Sequence, residues 1–147
     1  MNLAKKLWMT IGDSSGGGSG IRNWTQHSMP AGNWYSIAKG HGSTVVVIHS
    51  SNTSATSTDN GVTWTQHSMP TGNWYSVAYG NGVFVAVNYS NNISATSTDN
   101  GVTWTQHSMP TGSWYGIAYG NGAFVAVSSS SSNTSATSTD NGKTWTQ

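Results

Sequence analysis

The chain has 147 residues, about one domain's length, and only 6% of them are charged against roughly 25% in a typical domain, while Ser, Thr and Asn number 24, 19 and 14. Without cysteine or glutamate it lacks the material for a disulfide scaffold, a thiolate metal centre, a cysteine nucleophile or a glutamate acid–base group. A formal charge of +1 from four lysines and one arginine is too small to neutralise several phosphates, so no nucleic-acid partner is expected; no run reaches the roughly 18 apolar residues of a membrane span, so no membrane partner is expected either.

The first elements are degenerate. Leu7 to Asp13 reads as a strand, Ser14 to Gly20 as a Gly/Ser-rich connection, and Ile21 to His27 as a second strand. The apolar stretch behind Lys5 and Lys6 stops at Gly12, too short for a secretory signal, and no localisation is assigned from it.

From Trp24 onward the sequence repeats. Trp24-Thr25-Gln26-His27-Ser28-Met29-Pro30 recurs at 64–70 and 104–110, and Trp145-Thr146-Gln147 begins it again, with periods of 40, 40 and 41. A fixed period of this size means one supersecondary unit used several times. In the second copy, Trp74 to Tyr79, Val83 to Tyr89, Ile93 to Thr98 and Val102 to Gln106 are rich in β-branched and aromatic residues between Gly/Asn/Ser punctuation, which predicts four short strands per unit. The second of these is apolar on both parities, with Phe84 and Ala86 on one face and Val83, Val85 and Val87 on the other. Its sheet must therefore be covered on both sides. A single sheet has nothing to bury against, so stability is expected from sheet stacked on sheet.

Ser57-Thr58-Asp59-Asn60-Gly61-Val62-Thr63-Trp64 recurs as Ser97 to Trp104 and as Ser138 to Trp145, the last with Lys143 in place of valine. This resembles the Asp-box (BNR repeat) of sialidase-like β-propellers, where it forms the turn between the third and fourth strands of a blade. The resemblance implies an all-β propeller of four-stranded antiparallel blades, with a partial N-terminal blade at 1–28 and full blades at 29–68, 69–108 and 109–147. In turn chemistry, Ser57 and Asp59 accept backbone N–H groups, Gly61 supplies a positive φ, and Trp64 folds over the hairpin as a plug. Ser97, Asp99, Gly101 and Trp104, and then Ser138, Asp140, Gly142 and Trp145, repeat these structural roles. Three and a half blades fall short of the four to eight with which propellers close. The expected remedy is a homodimer whose two-fold axis completes a ring of six or seven blades; a strained four-bladed monomer is the other arrangement.

No enzyme is expected. Sialidase-type catalysis, as the resemblance would have it, needs an arginine cluster, a tyrosine–glutamate pair and an acidic proton donor. This chain has only Arg22, no glutamate, and Asp13 alone outside the boxes. No cofactor is expected, nor a metal: His27, His67 and His107 are equivalent by repeat and would be spread around a ring, which leaves them as loop histidines bonded to backbone.

The connection from one unit to the next carries the candidate binding site: Asn33, Trp34 and Tyr35, then Asn73, Trp74 and Tyr75, then Trp114 and Tyr115. Aromatic platforms beside neutral amides suit a sugar, which has an apolar face and hydroxyl edges. The competing reading is that the tryptophans only fill gaps between blades. The first copy departs from the others at Lys39 to Thr44, a change that suits either a chain–chain contact or plain drift between copies. The expected function is a non-catalytic binding or adhesion module, lectin-like and self-assembling, of the kind that the resemblance to propeller lectins and phage-tail repeat proteins places on a viral or bacterial surface. The alternative is a purely structural or designed self-assembling propeller with no ligand.

Overall fold

The computed structural model describes residues 24–49, 51–129 and 134–147, so the strand predicted over Leu7 to Asp13 and most of the partial unit at 1–28 lie outside the described residues. The described residues form three antiparallel sheets and contain no helix. The first sheet is β1 (Trp34–Gly40), β2 (Ser43–Ile48), β3 (Thr53–Ser57) and β4 (Thr65–Ser68), hydrogen-bonded in that order. The second is β5 (Trp74–Gly80), β6 (Val83–Asn88), β7 (Ile93–Ser97) and β8 (Thr105–Ser108). The third has β9 (Trp114–Gly120), β10 (Ala123–Ser128) and β11 (Ser135–Ser138), with a bridge between Thr137 and Thr146 where the other sheets have a fourth strand.

Local chemistry accounts for the hairpins. Asn81 and Gly82 (φ 49° and 80°) and Asn121 and Gly122 (φ 50° and 82°) make the two-residue, positive-φ turn that matches strand twist. His41 takes the same role in the first sheet at φ 47°. The predicted fourth strand starts late: residues 102–104 belong to the Asp-box turn, and pairing begins at Thr105.

The sheets stack with β5 beside both β1 and β9, so the first strand of each sheet is the innermost. Burial on both faces of the second strand follows. Val45 and Val47 of β2 are buried against a cluster from the second sheet that includes Val77, Phe84 and Trp104. Val85 and Val87 of β6 are buried in the same way under Phe124, Trp114 and Trp145 of the third. The inner strands are also tied directly, the Val77 N–H donating to Ser36 Oγ (3.1 Å) and the Ile117 N–H to Ser76 Oγ (3.3 Å).

Candidate functional site

Two constellations recur from sheet to sheet: the Asp-box turn at one edge, and an aromatic cluster where the innermost strands begin. In the box, the Asp99 carboxylate accepts the Ser97 hydroxyl (2.8 Å), the Thr103 N–H (2.9 Å) and the Thr103 hydroxyl (2.6 Å), while the Gly101 N–H donates to Ser97 Oγ (2.8 Å). Asp59 and Asp140 repeat the pattern with Ser57 and Thr63, and with Ser138 and Thr144. The tryptophan is not only a lid on its own hairpin, as the turn chemistry suggested. Trp104 Nε1–H donates to the Gly101 carbonyl (3.1 Å) and reaches into the preceding sheet to Ser54 Oγ (3.1 Å), and Trp145 does the same toward Gly142 (3.1 Å) and Ser94 (3.0 Å). The second and third boxes are therefore keys between sheets as well as turns.

These bonds stabilise the ionised carboxylates. The hydroxyl and N–H of Thr63, with the Ser57 hydroxyl, hold Asp59 well below the usual carboxylate range. The Thr144 hydroxyl and N–H bring Asp140 down from 3.8 to about 2. Partial burial pulls Asp99 up, but its bonds from Thr103 and Ser97 outweigh this and leave it lowered. A carboxylate with a depressed folded pKa contributes stability above its unfolded pKa and loses it as pH falls through the folded one. The melting temperature is thus expected to stay level from neutral pH to about 5 and to fall between about pH 4 and 2, measured by circular dichroism. Asp140→Asn should make that fall shallower; a melting temperature unchanged down to pH 2 would show that the boxes do not carry acid sensitivity.

The aromatic cluster is built by β-bulges. Pairing skips one residue between Trp34 and Ser36, between Trp74 and Ser76, and between Trp114 and Gly116, so the extra residue is Tyr35, Tyr75 or Tyr115. A bulge re-aims its extra side chain, and here the three tyrosines meet. Tyr75 lies at the centre, with ring centroids 4.9 Å from Tyr35 and 5.0 Å from Tyr115. Tyr89 stacks on it at 4.8 Å and His49 meets it edge-on at 4.7 Å. Tyr35, Tyr89 and Tyr115 are exposed, Tyr75 half-buried. Burial and then the neighbouring Tyr35, Tyr115 and Tyr89 push the Tyr75 phenol up, so it stays neutral across the physiological range.

The predicted site residues separate into two groups. Trp74 and Trp114 are 0% exposed and Trp34 is half-buried. Their indole N–H groups donate to the carbonyls of Pro70 (2.9 Å), Pro110 (3.1 Å) and Pro30 (2.9 Å). Trp74 and Trp114 are packing, not platforms, because both the ring faces and the polar handle are already engaged, whereas Trp34 has its polar handle engaged but part of its ring open. Tyr35, Tyr75 and Tyr115 do come together; the Asn33 carbonyl accepts the His49 N–H, and the Asn73 side-chain amide donates to Ser90 Oγ (2.8 Å). His49 and Tyr89 were missed. The signal was present in the repeat: positions 49, 89 and 129 are His, Tyr and Ser in otherwise similar copies, and each N–H bonds the carbonyl just before the bulged strand, at Asn33, Asn73 or Ser113.

The histidines of the repeat have a different partner from the one expected. His67 and His107 lie within β4 and β8 and bond the hydroxyls of Thr56 and Thr96 at 2.9 Å, across the strand rather than to backbone. Burial and then the Lys143 charge lower the His107 pKa.

The profile of the BNR/Asp-box repeat matches residues 136–147. No curated protein sequence matches the chain. Its fold is similar to that of YCF48 from Cyanidioschyzon merolae, with a TM-score of 0.69 and 17% identity over 84% of this chain and 39% of that one. It is also similar to YCF48 bound to D1 peptide, with a TM-score of 0.62 and 20% identity over 78% of this chain and 40% of that one. A third likeness is to a catalytically inactive virginiamycin B lyase from Staphylococcus aureus with quinupristin, with a TM-score of 0.63 and 19% identity over 76% of this chain and 39% of that one. The chain thus spans about two-fifths of the length of each of these structures.

Proposed function

We propose that this array of Asp-box propeller blades is a non-catalytic binding module that holds a carbohydrate on the tyrosine cluster at the start of its innermost strands. The observation that carries this reading is the convergence of Tyr35, Tyr75, Tyr89 and Tyr115 into one partly exposed aromatic surface beside Asn73 and Ser90. A pyranose ring lays its apolar face on such rings and turns its hydroxyl edges to amides and hydroxyls, and a neutral sugar needs no charged partner. A non-catalytic role is supported by the box aspartates. Each accepts several hydrogen bonds and has a lowered pKa, which disfavours it as a proton donor near neutral pH.

The test is a glycan array followed by titration calorimetry with the best hit. Tyr35→Ser and Tyr115→Ser, both at exposed positions, are expected to weaken binding by about twofold to tenfold each while the melting temperature holds. Chromogenic glycosides should not be turned over above the buffer rate. Absence of any sugar binding at millimolar concentration would remove the carbohydrate reading. A second reading, a neutral peptide on the same cluster, is favoured by the likeness to YCF48 bound to D1 peptide; a peptide-library hit lost in the same two variants would establish it instead.

A further inference from the structure

The two joints inside the chain share one template. On the receiving side, Val45 with Ser54, or Val85 with Ser94, meets the Asp-box of the following sheet. The approach is close enough that a methyl group on Gly101 would stand 2.7 Å from Val45 Cγ2, and one on Gly142 2.8 Å from Val85 Cγ1. The serine hydroxyl donates to the box glycine carbonyl, Ser54 to Gly101 and Ser94 to Gly142, and accepts the box tryptophan N–H. The inserted sheet adds an inner-strand aliphatic residue, Val77 or Ile117, to the same packing.

Each half of this template also occurs unmatched. On the third sheet, Val125 and Val127 are 40% and 51% exposed, whereas the corresponding Val45, Val47, Val85 and Val87 are 0%. Ser135, the counterpart of Ser54 and Ser94, is exposed. On the first sheet, the box of Gly61 and Trp64 opens on a cavity of about 410 Å³ lined also by Ile37, Thr44 and Lys39. Ile37 is 62% exposed where its counterpart Val77 is 4%. The cavity occupies the position that Val45 and Val85 fill in the other two joints.

We infer that a second copy of this chain fills it: the outer face of one copy's third sheet, through Val125, Val127 and Ser135, seats against Ile37, Gly61 and Trp64 on the first sheet of the other. The contact is head to tail and occurs twice, so two copies of three sheets close a ring of six on a two-fold axis, within the range in which propellers close. The inference is independent of the ligand bound at the tyrosines.

The departures of the first copy fit this joint. Tyr79 and Tyr119 lie over Gly40 and Gly80, but Gly120 has nothing within 4 Å, and the residue that would meet it from a second copy is Lys39. With Lys39 and Thr44 in place of tyrosine and phenylalanine, the joint is roomier than the internal ones. It also lacks one bond, because Gly116 stands where Ser36 and Ser76 accept an inner-strand N–H. The joint between copies is accordingly the weaker link, and it is improvable.

Native mass spectrometry and light scattering on the full chain test it. The expected mass is twice the chain's 15.5 kDa. Val125→Asp and Ile37→Lys should each raise the midpoint concentration of dimerisation by about 100-fold, since each leaves a charge in an apolar joint. An equimolar mixture of the two variants should recover the dimer: one of its joints pairs the new charges and the other is unaltered, a result that a merely misfolded variant cannot give. Gly116→Ser should lower the midpoint several-fold. A mass of 15.5 kDa for the unaltered chain up to about 100 μM, a ladder of higher multiples, or no recovery on mixing would each overturn the inference, and the first would leave the cavity to another segment of the same chain.

Discussion

Replacing Trp74 with alanine is expected to remove about 3–5 kcal/mol of stability, a large share of what a domain of this size has. Trp74 is fully buried in the cluster with Val45, Val47, Val77 and Phe84 that joins the first two sheets. The truncation therefore opens a large cavity in the joint and leaves the Pro70 carbonyl without its indole donor. Trp24, which is 100% exposed, provides the comparison: Trp24→Ala is expected to change stability by less than about 0.5 kcal/mol. Urea titration followed by circular dichroism measures both. Equal, small effects at the two positions would mean that burial between sheets is not what holds the array together.

Gly101→Ala should cost about 2–4 kcal/mol, and Gly82→Ala about 1–2 kcal/mol, although both glycines sit in tight turns at similar φ, 87° and 80°. Both variants carry the strain of a side chain in the left-handed region. Only Gly101 adds a collision, with the new methyl 2.7 Å from Val45 Cγ2 and 3.0 Å from Thr56 Cγ2, while Gly82 has nothing within 4 Å. The difference between the two variants thus measures how tightly the box is keyed into the preceding sheet. Combining Gly101→Ala with Val45→Ala should recover part of the loss, a non-additivity reserved for residues in contact. Strict additivity would show that the collision is relieved elsewhere.

The box glycines mark the line between what is local to the repeat and what is not. Asp59, Asn60 and Gly61 announce a turn because a carboxylate near backbone N–H groups and a positive-φ pair are local matters, settled within a few residues. The same locality made the Asn81–Gly82 hairpin and the two-faced strand Val83–Asn88 legible. The destination of Trp104 is not local. Its N–H partner, Ser54, lies 50 residues away on another sheet, and nothing within one repeat distinguishes a plug from a key.

The candidate site shows the same division with a further cause. Trp74 and Tyr75 are adjacent, aromatic and repeated, so composition and spacing treat them alike. Strand alternation turns tryptophan into the joint and tyrosine to the other side, where the bulge re-aims it into the partly exposed cluster. His49 and Tyr89 join the tyrosines because the end of the second strand lies across from that bulge.

The all-β character, the period and the turns are written in the residues alone, because each depends on backbone preferences and side-chain alternation over a handful of neighbours. Which aromatics face solvent and which tryptophans cross between sheets emerge from the packing of the folded chain. It also left Ile37 of the first sheet and Val125 and Val127 of the third exposed, where their counterparts are buried. These depend on register and on what lies across a gap some 40 to 50 residues away along the chain, where packing rather than local propensity selects the answer.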